Sequence, residues 1–210
     1  MLHGLKGQHG SAHVQRIDAA TGQTLNCAPT SLQVTIINLT NIASLRRFVQ
    51  LFTLANEAAD QCIAERLMLA LDHPAAYQTQ FADELAERGI EAALPAQELR
   101  DLALLDALLA EDLAWECDDQ DKADDLADAL NEVLARQQRS ERLRPETLRN
   151  RRDPGPEQLD AVQEALEPLG LALVLFAFDS DAYPLSVVSE TQAEEARTLA
   201  RELGFGITVY

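Results

Sequence analysis

From Asn41 to about residue 110, apolar side chains recur at helical spacing. Asn41 reads as an N-cap before Ile42, Leu45, Phe48, Val49 and Phe52, which share one face. Ala59, Cys62, Ile63, Leu67 and Ala70 repeat that spacing until His73-Pro74 interrupts it, because a residue before proline is pushed out of the α region. A third helix is expected over roughly 75–88, closed by Gly89. Pro95 opens a fourth. Its Leu99, Leu102, Leu104, Leu105, Leu108 and Leu109 are apolar nearly all round, which predicts burial on more than one side.

The second half changes period. LAWEC (113–117) is short and bounded by acidic residues, which predicts a strand. Asp118 or Asp119 then caps a helix with Ala123, Leu126, Ala127, Leu130, Val133 and Leu134 inward and Asp124, Asp125, Asp128 and Glu132 outward. Residues 138–156 are basic and broken by proline, and read as a surface connector. Leu159, Val162, Leu166 and Leu169 align on a helix over 156–169. LALVLFAF (171–178) and YPLSVVS (183–189) flank a turn of Asp179-Ser180-Asp181-Ala182, which predicts a hairpin. Ser189 with Gln192 then resembles a capping box, Gly204 ends the last helix, and FGITVY (205–210) forms a final strand.

This order predicts an α+β fold: an N-terminal helical layer packed on a four-stranded split β-α-β (ferredoxin-like) sheet with helices on both faces. Val174, Phe176 and Phe178 would leave one sheet face wet unless the N-terminal helices cover it. The expected organisation is a flexible extension over 1–30, a helical layer over 31–110 and the sheet unit over 111–210, the last two packed as one body.

Composition narrows the function classes. Net charge is −18 over 210 residues, with ten acidic against two basic residues in 111–136 and again in 154–210. Such a field repels phosphate backbones and anionic lipid, so nucleic acid and membranes are excluded as expected partners, and a basic protein is favoured. No apolar run is long enough for a membrane span, and the first 30 residues lack a signal-peptide core, so a cytoplasmic location is expected. Cys27, Cys62 and Cys117 form no C-x-x-C pair, and His3, His9 and His13 lie in the extension, where binding a metal would carry a large ordering entropy.

In the expected topology the first two strands are parallel, and Glu116, Asp118, Asp119, Asp179 and Asp181 converge at one edge within ~10–15 Å. Clustered carboxylates repel unless a hard cation or water separates them, so Glu116, Asp118, Asp179 and Asp181 form a candidate Mg²⁺ or Ca²⁺ site. The same aspartates also serve as cap and turn residues, and the pattern itself calls for no cofactor. Trp115 is expected in the core, with ligand stacking as its alternative role. Asp121, Asp124, Asp125 and Asp128 form the candidate partner surface. Neither a nucleophile motif nor a glycine-rich phosphate loop is present.

LAWECDDQDKADDLADAL, FAFDSDAYPLSVV and a helix ending in LGFGI together resemble a family of uncharacterised bacterial proteins carrying a domain of unknown function, over about 96–210. The most specific part is Asp179-Ser180-Asp181-Ala182-Tyr183; Ala114 departs from the acidic residue expected before Trp115. The resemblance implies a domain and brings no catalytic residues. The expected function is therefore a non-catalytic protein-binding module of immunity or accessory type, with a metal-dependent hydrolase or phosphotransferase as the alternative.

Overall fold

The computed structural model describes residues 16–17, 24–25, 31–54, 56–117, 121, 123–148, 156–178 and 182–210. The chain divides into two compact units, Met1–Leu39 and Thr40–Tyr210. In the first, β1 (Arg16–Ile17) and β2 (Thr24–Leu25) pair antiparallel. Two residues are too few for alternation to register in a sequence. Helix α1 (Ser31–Thr53) starts ten residues before the expected cap at Asn41. Val34, Thr35, Ile36, Ile37 and Thr40 are β-branched, a class that weakens a helical reading without forbidding the helix.

In the second unit, α2 (Glu57–Asp72) is capped by Asn56, whose side chain accepts from the Ala59 N–H at 3.3 Å. It stops at His73 before Pro74. The single helix expected over 75–88 is two, α3 (Pro74–Gln80) and α4 (Ala82–Glu87), broken at Phe81, whose ring packs 4.6 Å from that of Tyr77. Helix α5 (Ala96–Leu109) is buried on nearly every side. The remaining order is β3 (Trp115–Cys117), α6 (Ala123–Arg136), α7 (Pro145–Leu148), α8 (Pro156–Leu166), β4 (Leu171–Phe176), β5 (Tyr183–Ser189), α9 (Ala193–Leu203) and β6 (Ile207–Val209).

The four strands β3–β6 form one antiparallel sheet in the order β3-β5-β4-β6. The chain is thus α+β, and β3 and β4 run parallel with β5 between them. The ferredoxin-like expectation is corrected in strand order: there the last strand joins the first, whereas β6 here joins β4, the second. The exchange has a consequence for the helices. The β3→β4 and β5→β6 crossovers step the same way across the sheet but leave from oppositely directed strands. Right-handed connections then place their helices on opposite faces.

Two cores follow. Leu126, Leu130 and Val133 of α6 and Val162 and Leu166 of α8 meet Leu171, Leu173, Leu185 and Val187 on one face. On the other, Ala196 and Ala200 of α9 meet Ala172, Val174, Phe176 and Val188 together with residues of α1, α2 and α5. Phe176 is buried there and Phe178 partly so.

Where a neighbouring strand ends early, side-chain amides take over its hydrogen bonds. Gln137 Nε2 donates to the Val187 carbonyl of β5 at 2.9 Å, and Gln163 Oε1 accepts from the Leu173 N–H of β4 at 2.8 Å. Both strands thereby keep their backbone groups satisfied beyond the reach of the short β3 and β6. The basic segment after α6 is more than a surface connector: Leu143 and Leu148 are buried, and the Asn131 side chain brackets Leu143, donating to its carbonyl at 3.0 Å and accepting from its N–H at 2.8 Å. Ser189 makes no side-chain cap; a short 3-10 turn, Glu190–Gln192, leads into α9 instead.

Candidate functional site

Asp106 interrupts the leucines of α5 and is itself buried. Its carboxylate is held by two guanidinium groups. Arg88, which ends α4, approaches Oδ1 at 2.6 Å, and Arg66 of α2 approaches Oδ2 at 3.6 Å. Arg66 also donates to Glu84 at 2.7 Å and to the Tyr77 hydroxyl at 3.1 Å, and its guanidinium lies 4.1 Å from the centre of the Phe81 ring. Arg88 donates to Glu116 of β3 at 2.8 Å and sits over Phe178, just past β4. The network thus fastens α2, α3 and α4 to α5 and to the ends of two parallel strands. Burial pushes the Asp106 carboxyl above its ordinary value, with Arg88 and Arg66 opposing it. Such a group is tolerable inside only while both arginines remain in place.

Burial also pushes the Tyr77 phenol up to about 12, opposed by Arg66. Unfolded, the phenol titrates near ~10. Stability that depends on the neutral phenol is therefore complete below about pH 10 and is lost as pH rises towards 12. Between pH 9.5 and 12 the protein is expected to lose about 2–3 kcal/mol more than its Tyr77→Phe variant, measured by urea unfolding. Parallel pH profiles would refute this linkage.

The acidic edge is only partly in view. Glu116 is engaged by Arg88, whereas Asp118, Asp179 and Asp181 lie outside the described residues. Among the described residues no group of three His, Cys, Asp or Glu is placed to hold a metal ion. The sequence reading did not identify Arg66, Tyr77, Arg88 or Asp106 as a cluster. One signal was available: a lone aspartate in a helix otherwise apolar on every side needs a buried partner.

Trp115 departs from the core position expected of it. The strand β3 is three residues long and lies at the sheet edge, so the indole is 43% exposed. In register with Leu185, it projects to the face that α6 covers. Along α6, Asp125, Asp128 and Glu132 are exposed, and Asp121 just before the helix is half-buried; the side chain of Asp124 lies outside the described residues. Arg136 anchors the far end of α6 by donating to the Glu111 carbonyl at 2.8 Å and to its carboxylate at 2.9 Å.

Among the described residues no helix is long and apolar enough to cross a membrane. No curated protein and no solved structure matches the chain. Residues 44–210 match the family model of a domain of unknown function, DUF6630, and the chain belongs to that family. The match takes in the C-terminal part of α1, from residue 44, and all of α2–α5, well upstream of the resemblance that begins at about residue 96.

Proposed function

We propose that this DUF6630 protein is a non-catalytic binding module, of immunity or accessory type, that captures a basic protein partner on the acidic side of α6. One observation carries the reading. Trp115 is the single exposed large hydrophobic residue among those described, and it stands on the sheet face covered by the helix bearing Asp125, Asp128 and Glu132. Tryptophan is enriched where interfaces concentrate their binding energy, and a surrounding acidic field speeds encounter with a basic surface. An exposed thiol, Cys62, suits the reducing cytoplasm in which we place the protein.

A metal-dependent hydrolase or phosphotransferase built on Glu116, Asp118, Asp179 and Asp181 ranks second, because a cation there would compete for Glu116 with the guanidinium of Arg88, 2.8 Å from its Oε1.

Calorimetric titration with an Arg/Lys-rich peptide tests the binding reading. Affinity is expected to fall at least ~10-fold between ~0.05 and ~0.5 M salt. Asp125→Asn/Asp128→Asn/Glu132→Gln should weaken binding about tenfold at low salt, whereas Glu190→Gln/Glu202→Gln, exposed residues on the α9 side, should not. Equal losses in both variants would mean that only net charge is being read.

A further inference from the structure

A concavity lies on the opposite side of the sheet from α6. It has a volume of about 320 Å³ and is walled by Arg88, Ile90, Leu94, Glu98, Asp101 and Phe178. Its size is that of a small-molecule site, and its floor of Ile90, Leu94 and the Phe178 ring suits an apolar body. Its back is fixed: Gly206 donates to Asp101 Oδ1 at 2.6 Å, and a Cβ on Gly206 would stand 2.8 Å from that of Ala177.

The charges select the ligand. Among the described residues Arg88 is the one cation on the wall, and its two terminal nitrogens already meet Asp106 at 2.6 Å and Glu116 at 2.8 Å. With that charge already balanced by two carboxylates, an anionic ligand meets no net positive field from Arg88. Asp101 is turned to Gly206 and to Gln97, which donates to Oδ2 at 2.9 Å, so among the described residues the exposed Glu98 on the rim is the carboxylate open to a newcomer. We infer that this cleft binds a small organic cation, an aryl- or alkylamine whose hydrocarbon part lies on Ile90, Leu94 and Phe178 and whose ammonium meets Glu98. A ligand of ~10 non-hydrogen atoms would bind in the millimolar range.

The test is an NMR titration of the full chain with phenethylamine, 2-phenylethanol and 3-phenylpropionate. The amine is expected to saturate, about fivefold tighter than the alcohol, with the acid weakest and the amide shifts confined to residues 88–98 and 177–178. Glu98→Lys, an exposed change on α5, should abolish the preference for the amine over the acid. Equal binding of the three probes, no saturation by the amine up to ~20 mM, shifts centred on α6, or an unchanged preference in Glu98→Lys would each overturn the inference. The α6 triple variant should bind the amine normally, so this inference and the protein-binding reading fail separately.

Discussion

Replacing Asp106 with alanine is expected to cost about 3–5 kcal/mol, the largest loss from any single polar residue among those described. The substitution removes little apolar area. Its effect comes from Arg66 and Arg88, whose side chains are only 10% and 22% exposed and would face the interior with their shared counter-charge gone. For a body of this size the midpoint of thermal unfolding should drop by roughly 10 °C. A companion variant separates charge from packing. Arg66→Met/Arg88→Met/Asp106→Leu should recover most of the loss, because the carboxylates left behind, Glu84 and Glu116, are 50% and 30% exposed and can be hydrated. If the triple variant is no more stable than Asp106→Ala, the cost lies in shape and not in the buried charge.

Phe176→Ala should be nearly as damaging, at about 3–5 kcal/mol. Phe176 is 2% exposed on β4 and meets Phe52 of α1 with ring centres 6.1 Å apart. Phe52 in turn meets Phe48 at 5.3 Å, and Phe48 stacks on Phe205 at 5.4 Å. The aromatic chain ties the end of α1 to the centre of the sheet and to the turn after α9, so truncating Phe176, its member on the sheet, leaves a cavity against Phe52 that the packed core cannot close. Phe178→Ala, only two residues away but partly exposed beneath Arg88, should cost about 1 kcal/mol. Equal costs for the two would contradict the placement of α1 over β4.

The parts of this fold legible in sequence are those set by local chemistry. The stripes of α2, α5, α6 and α9, the stop at His73-Pro74, the left-handed Gly89 and Gly204, and the apolar runs of β4 and β5 all follow from residue type and spacing. Strand order did not follow. Whether β6 pairs with the first or the second strand is decided by contacts between distant segments, and FGITVY reads the same in either place. Trp115 was misplaced for a related reason: an apolar strand residue reads as core until the strand is known to be three residues long and at an edge. The buried network was half legible, since Asp106 stands out within α5 while its partners Arg66 and Arg88 sit on helices that read as ordinary charged surface.

The binding reading is tested most directly by the emission of Trp115, the only tryptophan in the chain. At ~0.05 M salt, an Arg/Lys-rich peptide should shift that emission to the blue and saturate, as a 43% exposed indole becomes covered. The shift should reverse at ~0.5 M salt and require several-fold more peptide in Asp125→Asn/Asp128→Asn/Glu132→Gln. An emission spectrum that stays fixed while calorimetry records binding would place the partner elsewhere on the molecule and contradict the role given to Trp115 and α6.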